Sequence, residues 1–245
     1  TGVSFGTRFE YYEDLFLVPS FSSFYESLKT TTSASNNLKK QKGDYFDTDF
    51  DYLLDFDKRN QKFKTSGGYR SRFTQSIPII SETNALLNGY EFNFYQEFID
   101  DMVGSFTFYA QGINSLTDDN VRISERLYLP SNRLRGFEAG KVGPKDGDDF
   151  IGGNYISSLN FEANFPNFFP EKSNADIGIF LDAGNVWGVD YSDTIDDSNK
   201  IRSTFGVNTS WLSPAGPLSF IFSQNITKAS TDVTQSFNFR LGTTF

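Results

Sequence analysis

The chain has no cysteine and no histidine, and its 245 residues include a single methionine. Without cysteine there are no disulfides, thiolate metal sites or sulfur nucleophiles. Without histidine the commonest acid/base side chain and metal ligand is gone, and every Ser-His-Asp triad with it. Positive charge is also in short supply. The 22 Lys and Arg stand against 31 Asp and Glu, a net charge of −9, opposite in sign to the basic face of a phosphate-binding protein. No nucleic-acid partner, cofactor, metal or enzymatic chemistry is expected. No stretch approaches 18 apolar residues in succession, which excludes a helical membrane span.

Phenylalanine, by contrast, is abundant. There are 28 Phe, and aromatics make up 17% of a chain with a mean hydropathy of only −0.42. A soluble core draws more on Leu, Val and Ile. Many aromatics at low mean hydropathy suit a transmembrane barrel, where only alternate residues meet lipid and the lumen is polar. The length alone would fit one large all-β domain or two smaller ones.

Period-2 alternation dominates, and helical periodicity is nearly absent. About 11 candidate strands follow from alternating runs bounded by turn residues. They cover residues 3–12, 15–28, 45–57, 68–77, 87–98, 102–112, 153–165, 175–187, 201–211, 217–226 and 235–245. In the third, Phe46, Phe50, Tyr52, Leu54 and Phe56 share one face, with Asp47, Asp49, Asp51 and Asp55 on the other. The fourth carries Arg70 and Arg72 on its polar face. Opposite charges facing each other across a strand pair contribute roughly 0.2–1 kcal/mol each. That gives both rows a structural reading, preferred over a ligand site. Residues 30–43 read as a polar loop, and residues 113–150 as one long non-alternating segment. Short connectors at Asp100-Asp101, 167–173 and 213–216 alternate with longer ones at 190–200 and 228–234, as the two rims of an outer-membrane barrel do. An odd strand count leaves open edges, which lipid does not tolerate. The chain also begins at Thr1 with no initiating Met or signal peptide, so it reads as a mature product or a fragment with further strands before it. A soluble β-sandwich is the alternative fold, and the aromatic-rich faces with no complementary second core argue against it.

Few residues are candidates for chemistry. The acidic row of the third strand lacks a calcium loop. Asp146, Asp148 and Asp149 read as a solvated loop, and Gly152-Gly153 and Gly184 as strand-end bulges or close backbone approaches. More informative are Arg135, Glu162 and Asp182. By strand phase, Glu162 shares a face with Ser158, Asn160 and Asn164, and Asp182 with Gly178 and Gly184. Two carboxylates on adjacent strands can share one guanidinium fork. They can equally stand hydrated in a wet lumen, and strand phase leaves both readings open.

The collinear segments Leu134-Arg135-Gly136-Phe137, Val142-Gly143-Pro144-Lys145, Ile151-Gly152-Gly153-Asn154, Asp182-Ala183-Gly184-Asn185-Val186-Trp187, the run from Trp211 to Leu218 and the closing run from Phe237 to Phe245 together resemble the BamA family of outer-membrane assembly barrels. The match is densest over residues 134–245, and weaker upstream at Asp57-Lys58-Arg59 and Gly67-Gly68. The resemblance implies an all-β antiparallel barrel of which this chain is the C-terminal portion, with strands and periplasmic POTRA domains before it. It implies that residues 113–152 form a long extracellular loop folded into the lumen. In that loop Arg135, Gly136 and Phe137 would be the tip, and Glu162 and Asp182 the wall partners of Arg135. The closing strand would be a targeting and gate strand carrying Phe237, Phe239, Gly242 and Phe245. The implied function is folding and insertion of β-barrel clients into the bacterial outer membrane through a lateral seam. Unfolded clients, outer-membrane lipids and accessory assembly lipoproteins would be the partners, and the Arg135 clamp would stiffen the wall opposite the seam. A secretion or autotransporter-assembly pore of the same superfamily and a passive porin are the alternatives.

Overall fold

The computed structural model describes residues 1–99, 102–165, 168–169, 175–197, 199–213 and 216–241. Among them, 12 strands form one antiparallel sheet. The first ones are β1 (Gly2–Gly6), β2 (Phe9–Tyr12), β3 (Leu15–Leu28), β4 (Gly43–Asp57), β5 (Gly68–Ile80), β6 (Ala85–Ile99) and β7 (Met102–Ser115). A small hairpin, β8 (Lys145–Asp146) and β9 (Asp149–Phe150), lies apart within the long segment that follows. The sheet resumes with β10 (Tyr155–Phe165), β11 (Ala175–Trp187), β12 (Arg202–Ser213), β13 (Gly216–Thr227) and β14 (Phe237–Leu241). From β3 onward each strand of the sheet pairs with the next one in sequence, and β7 pairs with β10 across the long segment.

The first expected strand is divided. β1 and β2 both pair with β3, and the register runs on across the gap, Gly6 opposite Ser20 and Phe9 opposite Leu17, before it shifts between Glu10 and Tyr12. The gap lies opposite Pro19, which has no N–H to give the ladder. Thr7 N still donates to the Pro19 carbonyl at 3.1 Å. The polar loop at 30–43 holds a short helix, α1 (Asn36–Lys40), capped by the Ser35 hydroxyl accepting from Leu38 N. Five residues are too few to show a helical period. Of the expected connectors, Asp100-Asp101, Pro214-Ala215 and most of 167–173 lie outside the described residues.

Alternation sorts the two faces of the sheet. Large apolar side chains of the outer face stay about half exposed, such as Phe161 at 48%, Phe205 at 51% and Phe239 at 50%. They stack across strands instead of packing into a core, with Phe106–Phe161 centroids 5.0 Å apart and Phe222–Phe237 also 5.0 Å apart. Such pairs add roughly 0.2–1 kcal/mol each to a ladder. The inner face is covered by the long segment. Val121, Leu127, Leu129, Leu134, Phe137 and Val142 of that segment bury themselves against Ile113, Ile156 and Val186 of the wall. Each such side chain contributes roughly 1.5–3 kcal/mol, so this segment, not a second sheet, forms the core. A satellite cluster joins Ala34 and Leu38 at α1 to Ile151.

Candidate functional site: a loop arginine clamped by wall carboxylates

In the β10–β11 register Asn160 faces Asp182 and Phe161 faces Leu181. Glu162 and Asp182 therefore project from the inner face as diagonal neighbours, and the tip of the long segment drops between them. The Arg135 Nε and Nη2 donate to the two Asp182 oxygens at 2.8 Å each, a bidentate fork. Its Nη1 donates to Glu162 Oε2 at 2.5 Å. The backbone N of Arg135 adds a further bond to Asp182 at 3.0 Å. Asp182 is fully buried and Arg135 nearly so. Ions this poor in water persist only when paired and hydrogen-bonded throughout.

Sequence reasoning missed two supports. Phe180 faces inward, and the guanidinium carbon lies 3.6 Å from its ring centroid, a cation–π contact worth roughly 0.5–2 kcal/mol. The unbroken apolar run Ile179-Phe180-Leu181 hides its phase. Asn208 donates to the other Glu162 oxygen at 3.3 Å. The tip itself needs Gly136. Its φ is +89°, and a Cβ there would lie 2.8 Å from Thr204 Oγ1, so both backbone and space exclude a side chain. Phe137 is buried in the core beside the tip.

Three more arginines of the long segment find carboxylates. Arg122 bonds the buried Asp47 at 2.6 Å and stacks over Tyr45. Arg133 reaches Glu91 at 2.8 Å, a carboxylate that Arg72 also binds. Arg126 bridges Asn154 and Asp190 and lies over Tyr191. Burial opposes the charge on Asp190, but the Val121 N–H, Asn154 and Arg126 outweigh it and hold its carboxyl below the usual range. The available signal was four arginines within 14 residues of a strongly acidic chain. The acidic row of β4 thus has mixed partners. Asp55 takes the fork of Arg70 at 2.7 and 2.8 Å, as facing charge rows imply, whereas Asp47 is matched from the loop.

Asp146, expected in a solvated loop, is instead a hub. It accepts from Ser35 at 2.6 Å, Asn37 at 3.3 Å and the Tyr191 hydroxyl at 3.1 Å. Burial, and then the Asp146 charge, push the Tyr191 hydroxyl well above its ordinary pKa. Asp148 and Asp149 are exposed, as expected. Gly153 is a close backbone approach, since a Cβ would sit 2.4 Å from the Trp187 carbonyl oxygen. On the closing strand, Phe237 and Phe239 face outward against Phe222 and Phe220. Gly242 and Phe245 lie outside the described residues. The tip lies beside the segment leading into the closing strand, with Gln235 N donating to the Gly136 carbonyl at 3.0 Å.

The Omp85 superfamily domain matches residues 2–245. The outer membrane protein assembly factor BamA of Neisseria meningitidis serogroup B is 32% identical over 141 residues, 46% of this chain and 17% of that protein. The protein of the same name from Neorickettsia risticii is 26% identical over 239 residues, 95% of this chain and 32% of that protein. This chain therefore spans about a third or less of those relatives. The crystal structure of BamA from Haemophilus ducreyi lacking POTRA domains 1-3 aligns with a TM-score of 0.85 at 21% identity, over 97% of this chain and 53% of that one. That likeness gives the sheet the fold of the BamA barrel. With the superfamily match running nearly end to end, this chain is a member of the Omp85 superfamily.

Proposed function

We propose that the protein carrying this barrel folds and inserts other β-barrel proteins into the bacterial outer membrane, where the barrel is integral. The proposed cycle uses the closing strand. Among the described residues β14 is the last strand of the sheet, paired with β13 from Leu218↔Leu241 to Phe222↔Phe237. A strand at the end of the sheet can yield its edge to an unfolded client, which satisfies its own backbone groups by strand addition instead of leaving them bare in lipid. The observation that carries the reading is the Arg135–Asp182–Glu162 clamp, which seats the long loop on the inner face. In the working protein that loop is extracellular and folded into the lumen, and the exposed outer aromatics contact lipid. Periplasmic domains outside this chain would recruit accessory lipoproteins. The chemistry is rearrangement of hydrogen bonds, with no covalent step.

The buried loop residues favour this reading over a passive porin, because they fill the space an open channel would need. Arg135→Ala in the full-length protein is expected to reduce client insertion into proteoliposomes severely while the barrel itself still folds. Insertion at the normal rate would remove the clamp from the mechanism. Stable, large, ion-selective openings of the wild-type barrel in single-channel recordings would favour the porin.

A further inference from the structure

Beyond Arg135 the loop tip runs alongside the connector that enters β14. Phe137 and Thr234 are antiparallel bridge partners. Glu138 N donates to the Val233 carbonyl at 2.9 Å, and Val233 N to that of Lys141 at 3.1 Å. The Gly136 carbonyl accepts from Gln235 N at 3.0 Å and from the Asn225 side chain at 3.1 Å. Just before this ladder, buried Asp232 takes the Arg202 fork at 3.0 and 3.1 Å and receives Gly143 N of the loop at 3.4 Å. From β14 itself, Arg240 reaches the Ser131 carbonyl at 2.9 Å and its hydroxyl at 3.2 Å. The loop therefore holds the terminal segment at three successive places, around residues 232, 234 and 240.

We infer that the loop tip is a latch on the terminal strand, with Asp232 and Arg240 as its positioning residues. While Arg135 sits on Asp182 and Glu162, the tip backbone is fixed, and β14 can leave the wall only if this ladder parts. Release of the arginine would thus loosen a strand three places along the sheet, through a backbone connection. The inference deepens the proposed function and rests on β14 being the edge that moves. It names what holds that edge shut.

Hydrogen exchange on the full-length protein in lipid tests the coupling without any client. In Arg135→Ala, exchange at Glu138, Val233 and Gln235 and along β14 is expected to rise on the order of tenfold, with β4 and β5 unchanged. Faster exchange confined to the loop, with residues 233–241 at wild-type rates, would overturn the latch. If Arg135→Ala does not fold, Arg240→Gln removes only the Ser131 contacts and should speed exchange at residues 237–241. Unchanged rates there would count equally against the proposal. Whether the latch is used is decided by Glu138→Cys with Val233→Cys, in a chain with no cysteine of its own. The oxidised pair is expected to block client insertion and reductant to restore it, whereas full insertion by the oxidised pair would show that the ladder need not open. Failure of both the wild type and the reduced pair to insert any client would defeat the assembly reading instead. The exchange result would then still decide whether tip and strand are coupled.

Discussion

In β4–β6 the inner-face carboxylates find most of their cations within the sheet and its turns. Asp55 takes Arg70, Asp57 takes Arg59, and Glu91 takes Arg72. In β10 and β11 the carboxylates Glu162 and Asp182 have no such neighbour among the described wall residues, and their cation comes from the loop. Both regions share the same alternation and the same apolar outer face. What differs is how far the wall supplies its own cations. Around Asp55 and Asp57 it does so, although Asp47 of β4 still takes loop Arg122, whereas Glu162 and Asp182 make the loop part of the wall's own stability. In that way one region of the sheet is a scaffold and the other a device whose state depends on a movable segment.

This contrast is most open to attack at Arg135. Arg135→Ala strands a fully buried carboxylate and a second one beside it, a loss of about 3–5 kcal/mol. The expected result is a lowered urea midpoint together with new protease cleavage in the loop. Arg70→Ala should cost less, about 1–3 kcal/mol, because Asp55 keeps Arg8 at 3.5 Å and the change resembles loss of charged hydrogen bonds. The loop should stay protected in that variant. Equal costs for the two, or loop cleavage in both, would erase the distinction between the regions. Arg135→Lys sharpens it further. Lysine keeps the charge but cannot reproduce the fork on Asp182 or stack as well on Phe180, so a loss smaller than that of alanine is expected in the same unfolding assay.

The smallest effect concerns Glu125 in the loop, which accepts from Thr83 at 2.8 and 3.0 Å. Burial raises its pKa above the ordinary 4.5. A raised carboxyl favours folding in its protonated form, so its contribution is complete below the unfolded value and is lost as pH rises through the folded one. Glu125→Gln, which mimics the protonated acid, should therefore leave loop protection equal or slightly better at pH 7. The difference should vanish below about pH 4. A loop loosened at pH 7 by this change would mean that the Glu125 charge is needed there.

The strands were legible because only one face of each is apolar, so period-2 alternation survives along nearly every one. It failed where a single residue acts on the ladder without changing polarity, as Pro19 does between β1 and β2. Helix α1 was hidden by its length. At the site, strand phase was enough to put Glu162 and Asp182 on one face, yet it could not choose between hydrated acids and a shared guanidinium. The resemblance carried by Leu134-Arg135-Gly136-Phe137 pointed to the second. Asp146, Asp232 and Arg202 were out of reach, because their partners come from connectors with no period. Phe180 was out of reach for the opposite reason: apolar residues on both sides conceal which way it faces.

A double-mutant cycle on Arg135→Ala and Asp182→Ala, followed by equilibrium unfolding of the full-length protein in lipid or detergent, tests the central claim most directly. If the loop arginine and the wall carboxylate neutralise each other in burial, the two losses are strongly non-additive, with a coupling of about 2–3 kcal/mol. Losses that simply add would show that the wall tolerates Asp182 without its partner, and would contradict the account.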